Sequence, residues 1–450
     1  MSLNVLVPGM TEAQHRLLAD LEASRDVTFH PLLDYERLVA AEDIDIEKLL
    51  ADAREEIRTF DHGIDGIIPH WDFPTSVIVP ILAAELGLRA PTLESVLRCE
   101  HKYWSRIDQR ASIPDVVPDF ELVDPFDDEA VHNLSLDYPF WLKPVKSHSS
   151  SLGFRIGSDE ELRNALAKIR EDIGDIGDAF NVVLDKVSPL PPEVRDAAGS
   201  KCIAEVLLTG HEFAIEGCVS GGEVLVHGTF DMGIEKETHS LDSFVYPAEH
   251  TPDEVQERAI SAARDFLTHV GFNDGCFNAE FIWNKEADKV CCVEVNTRIS
   301  QSHTALFMKV DGAPNHLVAL DVALGRKPEF PHHKGTCGVA AMCYLTTTER
   351  GIVTKVPTSG EIYAISETFP ETIVELGVHP GDVLEHIAHQ DPYRYRLGTL
   401  TIGAETARQL QGVYEACVSQ LLFEIKNPSD EEKTDGTHHE FSARDQVEGE

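Results

Sequence analysis

Positive charge is scarce in this sequence. Lys plus Arg number 38 against 78 Asp plus Glu, a formal net charge of −40 over 450 residues, so the surface field repels nucleic acid and anionic membranes, and neither is expected as a partner. Such an acid excess reads as a solubilising surface, and any phosphate site must gather its cations locally. Long apolar runs are missing too: no stretch of about 18 apolar residues occurs, so no membrane-spanning helix is expected. The opening run Met1 to Gly9 is short, with neither a basic flank nor a cleavage signal, and the expected location is the cytoplasm. There is no CxxC pair among the nine cysteines, whose neighbours are mostly apolar. Buried, reduced thiols are expected rather than a zinc or redox centre. No Ser-His-Asp or Cys-His set and no solenoid repeat is found.

What is present is a chain 42% hydrophobic, long enough for two to four domain-sized units. Strand and helix periods alternate at the start: strands at Leu3 to Val7, Val27 to Leu32 and Gly66 to Pro69, helices at Thr11 to Ala23, Glu47 to Arg58 and Thr75 to Leu86. This is the pattern of a parallel sheet, closing near residue 95. A strand from Pro139 precedes the loop Ser147 to Gly153 and a helix from Ser158 to about Glu171. Further strands are read at Cys202 to Leu208, Glu212 to Val219, Val224 to Asp231, Gly275 to Trp283 and Lys289 to Arg298, with a helix at Pro252 to Val270. A helix from Asn315 to a Gly325 cap, a strand-rich region and a closing helix from Ala404 to Phe423 complete the chain, before a polar tail expected to be disordered. The fold class is therefore α/β and α+β.

The densest chemistry lies between Gly275 and Ser300. With a hairpin centred on Ala287, Phe281 opposes Val293 and Ala279 opposes Val295 on an apolar face. On the other face Glu280 meets Glu294, Asn278 meets Asn296, and Arg298 continues the row. Facing carboxylates repel unless one is protonated or a divalent cation sits between them. Oxygen donors of this kind suit Mg²⁺. An acidic hairpin facing solvent is the competing reading.

The run Val293-Glu-Val-Asn-Thr-Arg298 resembles the Glu-x-Asn-x-Arg signature of the ATP-grasp superfamily, in the branch of biotin carboxylase, carboxylate-amine ligases and L-amino-acid ligases. The resemblance implies a Rossmann-like pre-ATP-grasp domain at 1–95, a two-lobed ATP-grasp body at 96–330 (small lobe about 97–205, large lobe about 206–330), a C-terminal α+β domain like that of biotin carboxylase at 331–426, and a tail at 427–450. It also implies Glu280, Glu294 and Asn296 as metal ligands and Arg298 as the group that holds the substrate carboxylate or acyl phosphate. Lys102, after His101, and Lys143, in Pro139-Phe-Trp-Leu-Lys-Pro144, resemble the two ATP-binding lysines. Taken singly, each also reads as a solvated surface residue. Ser149, Ser150 and Ser151 stand in the phosphate loop, where the family is richer in glycine, and an ordinary polar turn is the alternative. Ala204 to Glu212 resembles the adenine hinge, with Glu205 on adenine, Val206 and Leu207 offering backbone, Glu212 on ribose and His211 as a further nucleotide contact.

The activity so implied is ADP-forming ligation of a small-molecule carboxylate, an amino acid by preference, to an amine through an acyl phosphate, with ATP and Mg²⁺ (Mn²⁺ in its place) and a homodimer as the expected assembly. Bicarbonate or formate chemistry and a non-catalytic ATP-binding protein are the alternatives. Asp72 reads either as a substrate-side group at a strand end or as a helix cap. His332, His333, His386 and His389 read as surface histidines. Lys236, Glu237 and His239 read either as part of a cover over the site or as an exposed connection.

Overall fold

The computed structural model describes residues 2–39, 43–127, 129–147, 152–187, 189–235, 240–387 and 393–427. Ser149, Ser150, Ser151, Lys236, Glu237, His239, His389 and the tail from residue 428 lie outside the described residues.

The apolar opening segment forms β1 (Leu3–Pro8), flanked in parallel by β2 (Val27–Leu32) and β3 (Gly66–Ile67). Thr11 starts the helix Glu12–Arg25 with a reciprocal Thr11/Gln14 capping box, as its sequence position leads one to expect. The helix Thr75–Leu86 is apolar nearly all round, and eight of its residues are buried. An all-apolar helix must be covered on every side, and this one packs into the core shared with the central strands.

A second, antiparallel sheet holds β4 (Phe120–Val123), β5 (Phe140–Pro144), β6 (Phe154–Ile156) and β7 (Cys202–Val206) in the order 4-7-5-6. The third is the scaffold of the site. Its members are β8 (His211–Ser220), β9 (Glu223–Ile234), β10 (Leu241–Tyr246), β11 (Gly275–Asn284), β12 (Lys289–Asn296) and β13 (Val339–Thr347), followed by β15 (Thr372–Leu376) and β16 (Tyr395–Ala404). Their spatial order is 12-11-8-9-10-13-16-15, while β14 (Ile352–Lys355) pairs separately with β17 (Glu424–Lys426). Strands on both sides of residue 330 thus share one sheet, joined where β10 pairs with β13.

Three local expectations are corrected. The strand expected to reach Arg298 ends at Asn296, which leaves Arg298 in the following turn. The closing helix is Ala407–Val418 instead of Ala404 to Phe423, because β16 keeps Ala404 paired with Val339 and Thr406 supplies the cap. Two helices not read from the sequence, Leu93–Glu100 and Lys102–Ser112, follow one another across His101, which ends the first and caps the second.

All nine cysteines are free and buried. Among the described residues no helix is long and apolar enough to cross a membrane.

Candidate active site

The β11/β12 hairpin positions the acidic pair. Asn278 faces Asn296, Ala279 faces Val295 and Glu280 faces Glu294, in the register expected from the turn. One step further it breaks: Phe281 pairs with Cys292, not with Val293, because Val293 is an extra residue in β12. Uninterrupted alternation would put Cys292 and Glu294 on one face. The bulge instead lets Cys292 and Val290 sink into the core beside Phe281 while Val293 and Glu294 both line the cleft.

That cleft runs between the second and third sheets and is lined by Lys102, Lys143, Glu205, Val206, Leu207, Glu212, Glu280 and Glu294, with Trp141, Ile234 and Ile282 as apolar wall. Lys102 opens a helix whose cap, His101, is fully buried and binds the Ala197 carbonyl at 2.7 Å. Its ammonium lies 3.4 Å from Glu294 and donates to the Ser147 carbonyl at 3.1 Å, at the edge of the serine loop. Lys143, on β5, pairs with Glu205 on β7 at 2.8 Å.

Glu205 is further bound by Arg106 at 2.5 Å, and Arg106 also donates to the Val293 carbonyl at 2.8 Å. The Glu205 carboxylate is therefore committed to two cations. Burial alone would raise its pKa, but the charges of Arg106 and Lys143 overcome that and hold it at about 2. The Val206 N–H is likewise given to the Asp119 carbonyl, at 3.0 Å. His211 hydrogen bonds Asp231 at 2.8 Å and Thr251 at 3.1 Å, beside the cleft-lining Glu212.

The facing carboxyls are pushed in opposite directions. Burial, then the Glu294 and Glu212 charges, push Glu280 well above the ordinary carboxylate range. Glu294 is also pushed up by burial, but Lys102 and Lys143 bring it below that range. Burial first, and then Glu294, raise Glu212 to about 7. Opposed carboxyls of this kind share a proton or a cation. Asn278 and Asn296 donate to Glu280 and Glu294 at 3.3 Å each. Among the described residues no three His, Cys, Asp or Glu side chains converge on one point. The donor set therefore fits a hard cation that completes its shell with water and phosphate, and it lacks the enclosed nitrogen and sulfur ligands of zinc.

Arg298 lies beyond this row. Its guanidinium contacts Asp72 at 2.7 and 3.0 Å, and its charge acts on Glu280. Asp72 serves that side chain and not as a side-chain cap, since the helix Thr75–Leu86 starts at Pro74 without one. The buried Lys146 lies 3.5 Å from Asp72 and 2.8 Å from Glu100, which in turn accepts from Thr297 at 2.5 Å.

Arg106, Lys146 and Glu100 were not among the expected site residues. The one signal for Arg106 was its spacing of four from Lys102, which places both on one helix face once that helix is recognised. Nothing local marks the other two.

Residues 136–305 match the family model described as ATP-grasp domain. The chain is 26% identical over 178 residues to the carbamoyl phosphate synthase large chain of Rubrobacter xylanophilus, covering 35% of this chain and 17% of that protein. It is 24% identical over 276 residues to the C-terminal section of that large chain from Methanopyrus kandleri, covering 60% and 46%. The chain thus spans less than half the length of these curated relatives. Its fold is shared with the L-amino acid ligase of Bacillus licheniformis, with a TM-score of 0.72 at 16% identity over 95% of this chain and 99% of that one. The biotin carboxylase of Campylobacter jejuni gives 0.61 at 16% identity over 95% and 93%. Over residues 136–305, which hold Lys143 and the hairpin of Glu280 and Glu294, this chain matches an ATP-grasp domain.

Proposed function

We propose that the protein is an ADP-forming carboxylate-amine ligase that activates a small carboxylate, an amino acid by preference, as an acyl phosphate and transfers it to an amine. The observation that carries this reading is the facing pair Glu280 and Glu294, on the wall of the cleft that also holds Lys102 and Lys143, with Arg298 one turn beyond. A nucleotide in this cleft has its phosphates near the two ammonium groups and Ser147, and its base against Trp141, Ile234 and Ile282. Glu280, Glu294 and Asn296 would hold Mg²⁺, which would supply charge neutralisation at the terminal phosphates.

Arg298 orients the substrate carboxylate, one of whose oxygens attacks the γ-phosphorus as the bond to the ADP oxygen breaks. Lys102 and Lys143 balance the charge that passes to the leaving diphosphate. The amine then attacks the acyl carbon, phosphate leaves with the C–O bonding pair, and the amine proton passes to solvent or to phosphate. No protein nucleophile is required. Glu205 holds Lys143 in place, so the base is met by the chain following Val206, and Glu212 is the group for the ribose hydroxyls.

Bicarbonate is the second kind of carboxylate, as the resemblance to biotin carboxylase implies. The test is ADP release with Mg²⁺ and ATP across the twenty amino acids, each with and without a second amino acid or hydroxylamine, and with bicarbonate alone. Amino-acid-dependent ADP release with hydroxamate formation is expected. Release stimulated only by bicarbonate sinks the amino-acid assignment, and nucleotide binding without any stimulated release sinks the ligase.

A further inference from the structure

Beneath the turn that carries Arg298, the chain buries a carboxylate to which the proposed reaction gives no task. Glu216, at the middle of β8, is 0% exposed. It accepts from the His303 Nδ1 and the Asn315 Nδ2 at 2.7 Å each and from the backbone N–H of Ser300 at 3.3 Å. His227 Nε2 stands 3.6 Å away. The same Asn315 nitrogen donates to the Ser300 carbonyl at 2.9 Å, so both backbone polar groups of Ser300 are tied into one cluster. Asn315 is itself fixed, since its Oδ1 accepts from Thr304 at 2.8 Å. His303 is held flat against Phe230, with ring centroids 3.6 Å apart and planes 9° from parallel.

Burying a carboxylate is expensive, and an aliphatic residue of similar size would fill the same space without that cost. What the carboxylate adds is direction. One oxygen accepts from the Ser300 N–H, two residues past Arg298, and the other holds the Asn315 amide that donates to the Ser300 carbonyl, while Glu100 holds Thr297, one residue before Arg298, at 2.5 Å. The Arg298 turn is thus pinned on both sides by carboxylates from separate parts of the chain. Neither belongs to the facing pair on the hairpin.

We propose that Glu216 is a positioning residue: by fixing the Ser300 backbone it sets where the Arg298 guanidinium stands, and so controls recognition of the substrate carboxylate without acting on the nucleotide. This rests on the reading of Arg298 as the carboxylate-binding group. A guanidinium displaced by about 1 Å loses paired hydrogen bonds to a carboxylate, an effect on the order of 10²-fold in the affected step.

The test uses the full chain with Glu216→Gln, Glu216→Ala and Asn315→Ala, the last of which removes a tie to Ser300 and leaves the carboxylate in place. MgADP binding is measured by calorimetry, amide hydrogen exchange is followed across residues 297–304, and hydroxamate formation is assayed with the twenty amino acids as carboxylate probes and hydroxylamine as acceptor. MgADP affinity is expected to stay within about twofold, and exchange at Ser300 to accelerate about tenfold or more. KM for the best amino acid is expected to rise about ten- to hundredfold with KM for ATP unchanged, less in Glu216→Gln, which keeps an acceptor, than in Glu216→Ala. An amino-acid KM that stays at the wild-type value in a folded variant overturns the proposal alone. So does a parallel rise in KM for ATP, which marks a general loss of structure. A wild-type chain that forms no hydroxamate from any amino acid overturns the amino-acid ligase reading, and the positioning role with it.

Discussion

Glu294 carries more of the proposed chemistry than any other single side chain, because it faces Glu280 on one side and Lys102 on the other. Glu294→Gln keeps the shape and removes the charge. ADP formation at saturating Mg²⁺ is expected to fall by on the order of 10²-fold or more, and retained turnover contradicts a metal-ligand role. Arg106 gives the complementary test of structure. Arg106→Ala leaves Glu205 buried with only Lys143 for company, and loss of one partner of a buried pair costs about 3–5 kcal/mol. The urea midpoint should fall accordingly, and an unchanged midpoint means that Glu205 is better solvated than its burial indicates. Glu280, Glu294 and Asn296 were legible in the sequence, since alternation along a hairpin is a local rule. The commitment of Glu205 to two cations was not, because Arg106 comes from a helix about a hundred positions earlier.

At the level of the element, the bulge at Val293 decides which β12 side chains reach the cleft. It was invisible to period counting, since a bulge is one extra residue whose place is set by the neighbouring strand and by the Arg106 bond to its carbonyl. The other face of the hairpin is core: Phe281 is fully buried and stacks on Phe213 with centroids 5.7 Å apart. Phe281→Ala should cost about 3–5 kcal/mol in urea unfolding. Because Phe281 pairs with Cys292, the cavity opens on the core side and MgADP affinity in the surviving folded fraction should stay near wild type. A large loss of affinity would place Phe281 on the nucleotide side of the sheet. The paired helices around His101 escaped the sequence reading for a related reason: their apolar faces are short, and they are held by the core they share with Leu6, Leu32 and Ile67 of the first sheet.

Over the whole molecule, contacts between distant segments make stability depend on acid and salt. His70 and His316 are buried and share a hydrogen bond of 2.6 Å, 246 positions apart. Burial lowers both, His70 well below its ordinary value with His316 adding to the effect, and His316 from 6.5 to about 4. Between those pH values the unfolded chain binds protons that the folded chain refuses. Stability is therefore full above the ordinary histidine pKa and declines as pH falls, by up to about 3 kcal/mol for His316 alone. The urea midpoint should drop between about pH 7.5 and about pH 5, less steeply in His316→Asn, and a flat profile rules out buried neutral imidazoles. The charge of −40 acts over the same scale. Self-repulsion is screened when the Debye length shrinks to about 3 Å near 1 M salt, so the melting temperature should rise with NaCl, and a fall means that ion pairs outweigh net repulsion.

The sequence by itself determined the strand periods, the register of Glu280 on Glu294 and the Val293 to Arg298 run, because each of these is written in neighbouring residues. Only the tertiary structure decided that Asp72 meets Arg298, that Glu100 takes Lys146, that Arg106 and Lys143 share Glu205, and that Glu216 holds Ser300. Each is a charged group taken out of water, whose cost is met by partners far away along the chain, and no local pattern of residues records which partner that is.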